Sequence, residues 1–176
     1  SDLAVDITDW RALAKAGQAL YEGGRLRECQ APLARALDLM AKERDINKGE
    51  GMLAAEAIRD MHGTARAKVA CEGFKEELLK LPPEEQVRRV EAKMSEINGV
   101  AVRVPGAGWI VDGEWRQTQV FTEDPAALPS LRFLYPLEGL PLQWLNACNS
   151  ATNVRDLSPL RGMPLRVLLI GSPKIQ

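Results

Sequence analysis

The sequence predicts an α+β protein, helical through its first half and strand-bearing toward its end. Three observations carry that reading. Apolar residues recur at helical spacing up to about residue 80, an Asp-Gly pair sits between two apolar runs, and one segment occurs twice. Leu134-Tyr-Pro-Leu-Glu-Gly-Leu-Pro-Leu142 returns as Leu157-Ser-Pro-Leu-Arg-Gly-Met-Pro-Leu165, a shift of 23 residues (157 minus 134). Leu131-Arg132 aligns likewise with Val154-Arg155, and Leu145 with Leu168. The expected organisation is a helical region over 1–80, a helix and β-hairpin over 81–127, and stacked repeats over 128–176.

The first helix is expected over Trp10–Tyr21, capped by Thr8 or Asp9 and stopped by Gly23-Gly24. Leu26, Cys29, Leu33, Ala36, Leu37 and Met40 then mark one face of a second helix. Gly17, Leu20, Gly24, Cys29, Leu33 and Ala36 fall where a tetratricopeptide-type hairpin places small or apolar residues, so this stretch resembles a single such unit. Pro32 departs from it, because a mid-helix proline loses a hydrogen bond; the helix is expected to kink there or to begin near Ala31. A further helical stretch, about 51–79, uses Met52, Leu53, Ala55, Ile58, Met61 and Ala65, then Val69, Phe74 and Leu78, with a break expected near Gly63 or Gly73. Leu81-Pro82-Pro83 ends it and marks the domain boundary.

Glu84–Ile97 has the signals of a well-defined helix. Pro83 lies at its start, Glu84 and Glu85 near its positive end, and Asn98-Gly99 after it. Val87, Val90, Met94 and Ile97 form its apolar face. Trp109–Val111, the Asp112-Gly113 turn and Trp115–Phe121 predict a hairpin. Helix and hairpin together are expected to cover the open core of whatever stacks behind them.

The repeat itself reads as a leucine-rich coil, L-x-x-L-x-L-x-x-N/C-x-L. Leu165, Leu168, Ile170 and Ile175 take its apolar positions, with Pro173 where Asn or Cys is usual. Leu142, Leu145 and Ala147 fit the earlier copy, and Asn149–Asn153 reads as a two-residue insertion before Val154. Strand alternation points Leu145 and Ala147 inward. It points Trp144, Asn146 and Cys148 outward, joined in the next coil by Val167, Leu169 and Gly171. An outward Trp beside an outward Leu suits a concave recognition surface, or a position covered by a neighbouring domain. Trp144, Asn146, Cys148, Val167 and Leu169 are the candidate partner-binding residues.

Val154-Arg-Asp-Leu-Ser-Pro-Leu-Arg-Gly-Met-Pro-Leu165 is similar to the DLSPLKGMPL repeats of bacterial, planctomycete-type leucine-rich proteins. The Leu81-Pro-Pro-Glu-Glu-Gln-Val87 segment, with the helix and hairpin after it, also resembles what precedes the repeats in that family. The resemblance covers residues from about 80 onward and implies a leucine-rich solenoid. Such repeats often accompany a serine/threonine protein kinase domain. No Gly-rich loop with a following lysine, H-R-D or D-F-G stands in this chain, so kinase activity transfers to no residue of it. The departures are the insertion and Tyr135, where the repeat prefers Ser.

Composition narrows the remaining function classes. The 176 residues hold 23 basic and 24 acidic side chains, a net charge of −1, so no overall field attracts nucleic acid or an anionic membrane. Arg155, Arg161, Arg166 and Lys174 give the repeats a mild basic bias that reads as a solvated face. No apolar run reaches membrane-spanning length and no signal peptide opens the chain, which suits a cytoplasmic location. The first residue is not Met and the repeat stops one step short of another DLSPL, as expected for a piece of a longer protein.

Cys29, Cys71 and Cys148 are odd in number and widely spaced, against a disulfide framework or a zinc site. His62 and Cys71, nine residues apart, fall on opposite faces of any shared helix, and both read as structural. Gly106-Ala-Gly108 follows Pro105 and lacks the helix a dinucleotide fingerprint requires. No catalytic group, cofactor or metal is expected. The expected function is a non-catalytic protein-interaction module, with self-association through an open C-terminal end as a further property. The alternatives are a regulatory or sensory segment of a larger kinase-type signalling protein, or a structural spacer.

Overall fold

The computed structural model describes residues 9–43, 50–105, 110–111, 114–122, 131–148 and 153–171. The chain is α+β and divides between Val69 and Ala70 into two compact units.

The first unit holds α1 (Trp10–Glu22), α2 (Leu26–Met40) and nearly all of α3 (Glu50–Ala70). Asp9 caps α1, accepting from the Arg11 N–H at 2.9 Å. At the other end Arg25 N–H reaches the Leu20 carbonyl at 2.8 Å and Gly24 N–H that of Tyr21 at 3.0 Å. This paired closure turns the chain into α2. Cys29, Leu33 and Ala36 are fully buried, and Met40 is nearly so.

α2 begins at Leu26, not at Ala31, and carries Pro32 inside it. Pro32 has no N–H to return to the Glu28 carbonyl, and the burial of Cys29, Leu33, Ala36 and Met40 on either side holds the helix through that gap. Gly17 lies against Leu33 so closely that a Cβ there would come 2.5 Å from Leu33 Cδ2. Small size at this crossing is therefore a packing requirement.

α3 runs through Gly63 and ends at Ala70, and of the two expected break points it is Gly73, at φ +73°, that separates it from α4 (Phe74–Leu78). Ala55, Ile58 and Ala65 face the core that α3 shares with α1 and α2, and Ala67 is buried as well, whereas Met52 and Leu53 are exposed. Leu53 stands about 200° around the helix from Ala55, and Met52 belongs to the first turn.

The second unit begins at Ala70 and contains α4, α5 (Pro83–Asn98) and every strand. Pro83 opens α5 and Gly99 closes it, as the sequence predicts. α4 sends Leu78 into the core that Val90 and Met94 of α5 share with Val102, Val104, Trp115 and the leucines of the repeats.

Asn98, only 5% exposed, binds α5 to the start of the first repeat. Its Oδ1 accepts the N–H groups of Arg132 (2.8 Å) and Phe133 (2.9 Å). Its Nδ2 donates to the carbonyls of Met94 (2.8 Å) and Phe133 (3.1 Å). Glu91 and Ser95 tie the same helix to β1 (Val102–Arg103) and its continuation, through the N–H groups of Val104 (2.8 Å) and Val102 (3.0 Å).

Among the described residues the hairpin is a two-residue ladder. β2 (Ile110–Val111) pairs antiparallel with β3 (Glu114–Trp115), with Val111 opposite Glu114. Trp109, the Asp112-Gly113 turn and the Gly106–Gly108 loop lie outside the described residues. The expected single strand Trp115–Phe121 is instead three, each in a different sheet. β3 pairs with β2, β4 (Gln117–Gln119) lies parallel to β6 (Trp144–Ala147), and β5 (Phe121–Thr122) pairs antiparallel with β1.

The physical reason is a change of phase at Arg116. Trp115 is buried, and the next buried side chains are Thr118, Val120 and Thr122, so the inward set moves from odd to even positions. At that step the Arg116 carbonyl accepts the N–H groups of Gln143 (2.6 Å) and Trp144 (3.3 Å). The chain thereby leaves the hairpin and joins β6.

β6 continues the ladder to β7 (Val167–Ile170), giving a three-stranded parallel sheet in the order β4-β6-β7. The repeated Pro-Leu segments form two short 3-10 turns, Tyr135–Leu137 and Ser158–Leu160, which contact one another. Each is followed by a glycine at positive φ, Gly139 at 76° and Gly162 at 80°. The sequence repeat is thus also a repeat of turn and strand.

Candidate recognition surface

β6 sets the geometry of the outward face. Leu145 and Ala147 are fully buried, while Trp144 and Asn146, alternating with them, are half-buried on the opposite side. The parallel register places Gln117, Trp144 and Val167 in one row and Gln119, Asn146 and Leu169 in the next. Between these rows run Thr118, Leu145 and Leu168. The Gln143 carbonyl repeats the Arg116 pattern one strand later, accepting from Arg166 (2.7 Å) and Val167 (3.1 Å). Asn146 Oδ1 accepts the Cys148 N–H at 2.9 Å, which fixes the carboxamide against the end of the strand.

Of the five residues singled out from sequence, Trp144, Asn146, Val167 and Leu169 stand in adjacent rows of this ladder, and Cys148 follows it, exposed. Gly171 packs beside Cys148, where a Cβ would stand 3.0 Å from the Cys148 carbonyl oxygen. Val167 is 39% exposed and Leu169 42%. Leu168, expected inward beside Leu145, keeps that register but is 41% exposed. Pro173 and Ile175, together with residues 149–152 of the insertion, lie outside the described residues.

Sequence reasoning missed the third strand of the face. Gln117 and Gln119 extend it by two carboxamides. Their signal was faint because Thr118, a polar residue, takes the inward position that leucine holds in the other two strands. The assembled surface offers an indole, three carboxamides and two aliphatic side chains. At its edge, Arg116 Nη2 pairs with Glu114 at 3.1 Å.

Burial shifts the titration of three other side chains. Burial pushes the Cys71 thiol up to about 11, against the pull of Lys93 and with further upward pressure from Glu96 and Glu138. Burial also raises Cys29. His62 is lowered from its ordinary value by burial first and by the Arg66 charge second. A cleft of about 380 Å³ lies among Phe74, Leu78, Leu81, Lys80, Arg89 and Lys93. Lys93 there already pairs with Glu96 at 2.7 Å, and Arg89 lies 3.8 Å from Glu85. Among the described residues no group of three or more His, Cys, Asp or Glu is placed to hold a metal ion, and no helix is long and apolar enough to cross a membrane.

Compared with protein-family models, curated proteins and solved structures, the chain finds no match in any of the three.

Proposed function

We propose that the second unit is the opening of a leucine-rich solenoid and that the outward face of β4, β6 and β7 recognises a protein partner. The observation that carries this reading is the alternation along β6. Trp144 and Asn146 stand out from a strand whose Leu145 and Ala147 are fully buried, and the register continues both outward rows onto β7. A side chain anchored from below by a packed core loses little freedom on binding, which favours affinity. α5 and the antiparallel strands act as the cover of the first coil. The role is binding without catalysis in a cytoplasmic setting; the alternative is a regulatory or sensory segment of a larger kinase-type signalling protein, which the repeat resemblance implies.

The test is capture from a lysate of the source organism, comparing the wild-type chain with a Trp144→Ala, Leu169→Ser variant of matched melting temperature. A protein held by the wild type and lost from the variant, then shown to bind directly in titration calorimetry, supports the face as the working surface. Equal recovery on both removes it, and leaves the unit as a spacer.

A further inference from the structure

The junction of α4 and α5 encloses the cleft of about 380 Å³, within the size range of pockets that hold small organic molecules. Its apolar lining is Phe74, Leu78 and Leu81. Leu78 is 1% exposed and belongs to the core of the second unit, so the base of the cleft is fixed from beneath. Three cations, Lys80, Arg89 and Lys93, and one carboxylate, Glu77, complete the lining.

The wall between the two helices is built from pinned backbone. Leu81 N–H donates to the Leu78 carbonyl at 3.0 Å, and the Leu81 carbonyl accepts from Gln86 Nε2 at 2.8 Å. Leu79 N–H returns to the Lys75 carbonyl at 3.0 Å. Pro82 and Pro83 follow, and their rings restrict the chain further. A wall already ordered loses little freedom when a ligand arrives.

The three cations are not equivalent. Lys93 is committed: its Nζ pairs with Glu96 at 2.7 Å and lies 5.8 Å from the Phe74 ring centroid, with 22% of the side chain exposed. Arg89 is held loosely. Its Nε lies 3.8 Å from a Glu85 carboxylate that Arg88 also approaches at 3.7 Å, both beyond hydrogen-bonding length. Lys80 and Glu77 form no ion pair among the described residues. With the partners of the lining cations included, four basic groups stand against three carboxylates, a surplus of one positive charge.

We propose that this cleft binds a small aromatic monocarboxylate. The ring lies on Phe74, Leu78 and Leu81, where offset stacking and burial hold it. The carboxylate lies at the mouth between Lys80 and Arg89, whose guanidinium can accommodate two carboxylate oxygens. A surplus of one charge suits a monoanion. Glu77 at the same cleft opposes a second negative charge, which disfavours a phosphate dianion. Three apolar side chains cover one ring, whereas a long acyl chain would run beyond them. The inference uses no residue of the strand face and stands whether or not that face has a partner.

Titration of the full chain with hydrocinnamate (phenylpropionate) into the millimolar range, followed by amide NMR shifts, tests it. The expected result is a saturating shift confined to amides within 74–93. Phenylpropanol keeps the ring without the charge, and propionate keeps the charge without the ring. Each should bind at least about tenfold more weakly. The Lys80→Gln, Arg89→Gln variant changes two exposed side chains and should bind at least about tenfold more weakly than the wild type at matched melting temperature. Arg161→Gln, which removes an exposed cation on the second repeat, should bind as the wild type does. The ligand comparison is made on the wild-type chain, so it does not depend on how any variant folds. Absence of a saturating shift, or equal binding of the alcohol or of propionate, would overturn the proposal. So would full affinity in the double variant. Inorganic phosphate competing at equal concentration would also overturn it, by making the cleft a general anion patch.

Discussion

Tyr135 reaches from the first repeat to Asp156 of the second: its hydroxyl donates to Asp156 Oδ2 at 2.7 Å. The other carboxylate oxygen, Oδ1, accepts the Ser158 N–H at 2.8 Å, so one aspartate holds its own turn and the turn before it. Tyr135 stands where the second copy has Ser158, and a serine there is too short to span the gap. The Phe133 ring stacks on Tyr135 with centroids 6.1 Å apart and keeps the ring upright. The departure from the repeat pattern is therefore a cross-link between repeats.

A hydrogen bond to a charged acceptor contributes about 1.5–3 kcal/mol, and Tyr135 is only 6% exposed. Tyr135→Phe should lower unfolding free energy by about 1.5–3 kcal/mol on that scale. With Asp156→Asn it should form a double-mutant cycle coupled by more than ~0.5 kcal/mol. Urea denaturation of the four proteins measures this, and strictly additive losses would show that the bond carries no weight.

Gly17→Ala tests the α1–α2 crossing. A methyl group at 2.5 Å from Leu33 Cδ2 cannot be accommodated without moving a fully buried side chain. Overpacking of this kind costs about 1–3 kcal/mol, more than the helix propensity that alanine gains over glycine. Adding Leu33→Val should recover part of the loss. A stabilised Gly17→Ala protein would mean the two helices separate easily.

Leu145 and Leu168 occupy the same place in the repeat and the same row of the sheet, yet one is fully buried and the other 41% exposed. Leu145→Ala should cost about 2–5 kcal/mol by leaving a cavity. Leu168→Ala should cost under about 1 kcal/mol, because it opens no enclosed space. Equal costs in thermal or urea unfolding would show that position in the repeat, not cover, decides the energetics.

Much of this fold was legible in the sequence because its signals are local. Asp9, Gly23-Gly24, Pro83 and Gly99 mark helix ends through backbone chemistry that needs no distant partner. The repeat likewise declared itself by comparison with itself. What stayed hidden depends on partners far along the chain. Residues 114–122 were split among three sheets by a one-residue phase change that hydropathy does not mark, since Thr118 is buried and Gln119 only half so. Asn98 looked like a helix stop, and its four hydrogen bonds to Met94, Arg132 and Phe133 require the first repeat to be in place. On the candidate face, Trp144 and Leu169 could be read from strand alternation, but Gln117 and Gln119 needed the ladder.

The cysteines give a last prediction through their surroundings. Cys148 is exposed, Cys29 is fully buried, and Cys71 is half-buried with its thiol pushed up to about 11. Because the thiolate is the reactive form, iodoacetamide near neutral pH should label Cys148 first and leave Cys71 and Cys29 unmodified in the folded protein. The same shift has a thermodynamic consequence. The folded state holds the Cys71 proton more tightly than the unfolded chain, whose thiol titrates near its ordinary value of about 8.5. The stabilisation this gives is fully present below that value and is lost as pH rises through the folded value of about 11. Unfolding free energy should therefore decline across that alkaline window in the wild type, and decline less in Cys71→Ala, which has no proton to lose. Parallel pH profiles for the two proteins would place the alkaline sensitivity elsewhere, and rapid alkylation of Cys71 at neutral pH would show that its burial is not maintained in solution.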